Sequence, residues 1–217
     1  MRKTIVLTGI LLAISIGIKA QVTDSIPGNL YFNSAEKLLR TKGNLKIGGY
    51  GGVHYNQSLS GDRRNNGKLD VHRFVMMMGY QFNSKTQVVT ELEFEHVKEI
   101  YVEQMFLQYE LNRSVNLQAG LILAPVGIVN LYHEPTVYNG VERPLLSHDI
   151  VPTTWREIGV GASGLILPAS LKYQVYVMNG FSSFSNGTAQ IGGASGLRGG
   201  RQKAAESFMS SPNLTGR

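Results

Sequence analysis

Glu91, Glu93 and Glu95 recur at every second position in Thr90–His96, which reads TELEFEH. Successive residues of a β-strand point to opposite sides. The three carboxylates therefore share one face, and Thr90, Leu92 and Phe94 share the other. A charge facing lipid near the bilayer midplane costs up to a few kcal/mol. In a membrane wall, these three must face the lumen.

A second concentration of chemistry lies in Ala124–Gly161, APVGIVNLYHEPTVYNGVERPLLSHDIVPTTWREIGVG. It gathers His133, Glu134, Glu142, Arg143, His148, Asp149, Arg156 and Glu157, and strand rhythm is lost between 124 and 154. A loop this long is usually functional or disordered. Leu131, Tyr132, Leu145, Leu146, Ile150 and Trp155 argue against disorder. Folded into a pore, the loop would narrow it and expose these groups to a passing solute. Charged rings at a constriction set ion preference. On the plainer reading, Glu142–Arg143 and Arg156–Glu157 only pin the loop through ion pairs. Together with Arg73, whose strand lies beside the glutamates, these residues form the candidate lumen and constriction set.

Other chemistries lack their patterns. His133-Glu134 is followed by Pro135, with no second histidine four positions on, so it is not a metalloprotease helix. The five histidines, His54, His72, His96, His133 and His148, show no metal-ligand spacing. No serine sits in a strand-to-helix elbow. Gly48–Gly52 lacks the Lys-Ser/Thr ending of a phosphate-binding loop. Met76, Met77 and Met78 read as packing. The expectation is a protein that is not an enzyme, with no catalytic residue, cofactor or metal.

These residues need elements to position them. Arg2 and Lys3 precede an apolar run, Ile5–Ile18, and then Ala20, the plan of a cleavable export signal over residues 1–20. An uncleaved anchor is the alternative, although the run is short for a spanning helix. The 217 residues contain no cysteine, which excludes a lipoprotein anchor and disulfides. The net charge of +6 resides at the ends: three basic residues lie in the signal and four in the tail from Arg198, against Glu206. The remaining 14 basic and 14 acidic residues of Gln21–Leu197 balance, which leaves no footprint for nucleic acid.

Residues 21–43 are polar, with a helix-like Ser34–Thr41 that Ser34 can cap, placed in the periplasm or at a barrel mouth. Seven alternating strands follow: Leu45–Gln57, Leu69–Phe82, Thr86–His96, Tyr101–Asn112, Val115–Leu123, Trp155–Ile166 and Ser170–Phe181. Ser182–Arg217 reads as one long exposed loop. Soluble strands cluster near 5–6 residues, and these are longer. Short turns also alternate with long loops, as in an up-and-down transmembrane barrel. A periplasmic β-domain shares the alternation. Tyr50, Tyr55, Tyr80, Tyr101, Tyr109, Trp155 and Tyr173 suit interfacial girdles. Seven strands is an odd count where bacterial barrels are even, and Leu214–Arg217 reads as the approach to another strand, so a C-terminally incomplete barrel is expected.

GGYGGVHYN (Gly48–Asn56), HRFVMMMGYQFN (His72–Asn83), TELEFEH, the PVGIVNLYHEP…VERPL…IVPTTWREIGVG loop and LRGGRQK (Leu197–Lys203) resemble the Bacteroidetes porins grouped with phosphate-selective porins O and P. The resemblance covers nearly all of Gly48–Arg217. It implies an all-β, antiparallel up-and-down barrel of about sixteen strands when complete, trimeric, seated in outer-membrane lipid, with a loop folded into its pore. Residues 44–217 would then form the N-terminal part, with seven or eight strands. The implied function is passive diffusion of small hydrophilic solutes or ions, phosphate and other anions included. Phosphate-selective members line their pores with arginine and lysine. Here the third strand presents glutamates, and only Arg73, Lys46, Arg143 and Arg156 are candidate lumenal cations. The competing class is a non-conducting barrel that serves as an adhesin or structural anchor.

Overall fold

The computed structural model describes residues 32–57, 67–127, 129–141, 143–144, 154–193 and 195–217. The expected signal segment, the Glu142, His148 and Asp149 candidates, and most of the loop after the first strand lie outside them.

Seven long strands form in chain order: β1 (Leu45–Asn56), β2 (Lys68–Gln81), β3 (Thr86–Glu95), β4 (Glu99–Asn112), β5 (Val115–Leu123), β6 (Arg156–Ile166) and β7 (Leu171–Met178). They match the expected segments to within three residues at either end. A two-residue hairpin follows, β8 (Phe184–Ser185) with β9 (Thr188–Ala189), and then β10 (Asn213–Gly216). Each long strand pairs antiparallel with its sequence neighbour, and β10 pairs with β7, so the eight-stranded sheet runs β1-β2-β3-β4-β5-β6-β7-β10. The 182–217 segment is thus not one exposed loop. It carries an eighth sheet strand, because Leu214 and Gly216 fall in register with Val177 and Val175.

The two faces of this sheet are opposites. One face, here called outer, aligns Ile47 with Met78, Phe74 with Phe94, Leu92 with Val102, Met105 with Leu121, Ala119 with Val160, and Val160 with Val177. The apolar belt so formed crosses every strand. Its side chains are open to the surroundings: Ile47 is 68% exposed, Leu69 78% and Val160 56%. Tyr55, Tyr80 and Tyr109 also lie exposed on this face. The other face, here called inner, carries Lys46, Arg73, Glu91, Glu93, Gln104, Gln118 and Gln174, all buried. Tyr50 and Trp155, expected in a girdle, belong instead to the packed inner cluster.

Two devices adapt the inner face. Between β3 and β4 the register slips, so that Glu91 faces Gln104 while Leu92 faces Val102. The extra residue is Glu103. A bulge of this kind turns neighbouring side chains to the same side, and Glu103 joins Gln104 on the inner face, both buried. Strict alternation would put Glu103 on the side of Met105, and the bulge turns it to the other. Further along, Gly120 adopts φ +136, and a Cβ there would stand 2.3 Å from the Met105 carbonyl oxygen.

A short helix, α1 (Ser34–Leu39), lies on the inner face. Six residues cannot hold a helix in isolation, so packing and caps must do it. Ala35, Leu38 and Leu39 are buried in a cluster with Val75, Met77, Val89 and Phe106. Gly48 and Gly79 make room for Leu38, whose methyl carbons lie 3.2 and 3.5 Å from where their Cβ atoms would be. The cap is Asn33, not Ser34: its side chain accepts from the Glu36 amide, and Glu36 reaches back to the Asn33 amide. This reciprocal pair satisfies two orphan donors at once. The helix is therefore buried against the wall rather than set apart from it.

Gly120→Ala forces a left-handed, sterically blocked backbone at the β4–β5 seam. An expected loss of about 1–3 kcal/mol should show as a lower midpoint in denaturant unfolding of the folded protein.

Candidate functional site

The inner face holds two ion-pair groups side by side. Arg73 on β2 sits directly across from Glu95 and one pair from Glu93 on β3, and it contacts both carboxylates, at 2.7 Å to Glu93 and 3.0 Å to Glu95. Arg156 at the start of β6 reaches Glu103 on β4 at 2.8 Å. Gln104 donates to Glu91 at 2.5 Å. Arg73, Glu91, Glu93, Glu103 and Arg156 are all buried, Glu91 to 1% exposure. Burying a charge is costly unless it is paired and hydrogen-bonded, which explains why these groups interlock across strands.

The 124–155 loop is tied onto this face by one residue that carries no charge. Asn130 donates to the carbonyls of Ala124 and Trp155 and accepts from the Trp155 amide, at 2.7, 2.9 and 2.7 Å. It is fully buried. The two ends of the loop are thereby closed on each other. His133 follows, its Nδ1 3.1 Å from the Asn130 carbonyl and its Nε2 3.7 Å from Glu103. Glu134 then accepts from both the amide and the hydroxyl of Ser34, each at 2.6 Å. A carboxylate thus meets the N-terminal amides of α1, where negative charge is favoured. At the other end, Lys46 donates to the Leu39 carbonyl at 2.5 Å.

Of the candidate residues, Glu91, Glu93, Glu95, Arg73, His133, Glu134 and Arg156 converge on the inner face or on the loop that lies over it. Arg143 stands further along the loop and donates to the Tyr138 hydroxyl at 3.1 Å. Two expectations change. His133, Glu134 and Arg156 were expected to be exposed to solute, yet each is buried at 8% exposure or less. Their partners lie within the protein, so water is excluded. Nor does Arg156 pair with Glu157. Arg156 takes Glu103, while Glu157 accepts from Asn179 and from the Gln202 amide, at 2.7 and 2.9 Å. The two chain neighbours take separate partners, Arg156 two strands away on β4 and Glu157 beyond the end of β7.

Glu103 and Asn130 are the contributors that the candidate set omits, while Glu157, which it includes, is buried at 1% exposure rather than open to solute. A signal for Glu103 exists in the sequence, since it breaks the apolar alternation of β4. None exists for Asn130. Next to the helix, a polar cavity of about 410 Å³ opens among Glu36, Arg40, Gln108, Glu110, Arg113 and Lys172, near the short turns.

No protein-family model matches this chain, and no solved structure matches it. An uncharacterized protein of Aquifex aeolicus (strain VF5) is 32% identical over 192 residues, which is 85% of this chain and 42% of that protein. The chain spans less than half the length of this relative.

Burial, and then the positive charges of Arg143, Arg73 and Arg156, push the His133 imidazole from 6.5 down to about 3. A neutral buried histidine stabilises the loop fully above pH 6.5. That stability is lost as pH falls from 6.5 toward 3, because the released loop binds a proton more readily. Protection of residues 129–138 against hydrogen exchange, taken relative to the intrinsic rate at each pH, should therefore fall across that window, and His133→Asn should flatten the dependence.

Proposed function

We propose that the protein forms part of an outer-membrane β-barrel channel through which small hydrophilic solutes or ions diffuse passively. The observation that carries this reading is the inverted partition of side chains: an exposed apolar belt on every long strand, and charges buried on the opposite face. In a soluble sheet the apolar face is the one that packs, and large exposed apolar patches mark interaction surfaces or membrane contact. Lipid would cover this belt, and the paired strands already satisfy the backbone groups that lipid cannot. Pairing of β1 and β10 with further strands would close the wall. The resemblance to the porin O and P group supports an outer-membrane location, a trimer and an export signal. No step of this function requires a catalytic residue.

The inner face speaks to selectivity. Among the described residues it buries five carboxylates (Glu91, Glu93, Glu103, Glu134, Glu157) against three cations (Lys46, Arg73, Arg156). An acidic surplus behind the inner surface would bias the potential of a lumen toward cations over phosphate. A second reading, a non-conducting barrel acting as an adhesin or anchor, draws on the burial of α1 and of Leu131, His133 and Glu134 against the inner face.

Leu107→Arg puts a charge in the apolar belt and should destabilise folding into lipid vesicles by about 2–4 kcal/mol near the midplane. Unfolding titrations in vesicles read this directly, and an unchanged midpoint would count against a lipid-facing belt. In planar bilayers the whole protein should give channel steps with a reversal potential toward cations. A folded preparation without steps leaves the anchor reading standing.

A further inference from the structure

Three histidines that are distant in the sequence meet at the long-loop end of the first three strands. His54 lies on β1, Asp70 and His72 on β2, and His96 directly follows β3. Register brings them together: His54 pairs with Asp70, and the His96 amide donates to the His72 carbonyl at 3.3 Å. A slip in the β1–β2 ladder matters here. Gly52 faces Arg73 and Val53 faces Val71, so His72 is the extra residue of a bulge. His96 itself takes a left-handed φ of 51°, which ends β3 and points its ring back over the strand ends.

The donor geometry is that of an incomplete coordination shell. Asp70 Oδ2 lies 2.6 Å from His96 Nδ1 and 3.8 Å from His72 Nδ1. Asp70, His72 and His96 each offer one ligand atom, and these atoms lie within 4.8 Å of one another. Ligands of a tetrahedral ion with bonds near 2.0–2.1 Å stand about 3.3 Å apart, so sub-ångström to ångström side-chain shifts complete the site. His54 stacks on His72 with ring centroids 4.5 Å apart, and its Nδ1 is buried with no hydrogen-bond partner. The His72 ring also meets the His96 ring edge-on at 5.5 Å. Arg73 Nη2 lies 3.3 Å from His72 Nε2. It has Glu93 and Glu95 as stronger partners, so binding through His72 Nδ1 only returns it to them.

We propose that Asp70, His72 and His96 bind a borderline divalent transition-metal ion, with Zn²⁺ as the best fit, and that His54 stands beside the remaining coordination position. Two imidazoles and one carboxylate suit zinc, copper or nickel rather than calcium or magnesium, which prefer all-oxygen shells. Linking β2 to the end of β3, with His54 of β1 beside it, the ion would fasten two strand ends at the loop side of the wall. This site does not depend on whether the wall conducts.

The test is Zn²⁺ titration of the folded full chain by isothermal calorimetry, with Co²⁺ absorption as a report on coordination. A single saturable site is expected, and His72→Ala or His96→Ala should weaken it about tenfold or more. Glu110→Gln, at the opposite end of the wall, should bind as the parent does. Should a variant misfold, the unaltered chain still decides. Zn²⁺ should shield His72 and His96 from diethylpyrocarbonate, as read by mass spectrometry. Absence of Zn²⁺ binding, undiminished binding by the variants, or unshielded His72 and His96 would overturn the assignment.

Discussion

Everything in this wall follows from where its carboxylates must go. Glu91, Glu93 and Glu103 sit nearly or fully shut off from the surroundings, while leucine, isoleucine and valine stand outward. A buried carboxylate demands partners, and two guanidinium groups and several amides supply them: Arg73 for Glu93 and Glu95, Arg156 for Glu103, Gln104 for Glu91. Each partner comes from a neighbouring or nearby strand. The ion pairs therefore act across the ladder and reinforce its register. A slip of one residue would turn the charges outward and the apolar belt inward together, so the pairing pattern and the register specify each other.

The helix and the loop obey the same logic on a smaller scale. Neither could persist alone: α1 is too short, and among its described residues the loop has only single turns of 3-10 helix at Asn130–Tyr132 and Pro135–Val137. They lean on each other and on the wall. Asn33 donates to the Leu131 carbonyl, Ser34 meets Glu134, and Glu36 pairs with Lys172 at 2.7 Å. Three contacts of long sequence separation thus join the start of the described chain to its middle. Their energies are coupled, because loss of the Asn130 clamp would release Glu134 and leave the Ser34 amide at the start of the helix without its carboxylate.

The two ends of the wall have different characters. At the short turns the inner side opens into a polar cavity beside α1. At the long-loop end imidazoles gather about Asp70, and a bulge and a left-handed residue aim them. Two of the irregular points in the ladder redirect polar side chains. Bulges commonly serve that purpose at rims of sheets, and both Glu103 and His72 are bulge residues here.

Much of the architecture was legible because strand alternation has a period of two and little ambiguity over ten residues. TELEFEH announced which of its side chains share a face, and the strand ends followed from Asn83-Ser84-Lys85, Arg113-Ser114 and Leu167-Pro168-Ala169. The eighth strand was legible only as an approach at Leu214–Arg217, since four residues of mixed type form a strand only when β7 offers them a ladder. Glu103 escaped because a bulge breaks the period that made the other glutamates readable. Asn130 and the histidine cluster escaped for another reason. Their meaning lies in partners 25 positions away or on three separate strands, and no local pattern encodes such distances. What the amino-acid order decided by itself was the two-sidedness of each strand, through the alternation of its side chains. Which carboxylate meets which arginine, which residue closes the loop, and which imidazoles converge were decided only by tertiary register, because pairing distances exist only once strands lie side by side.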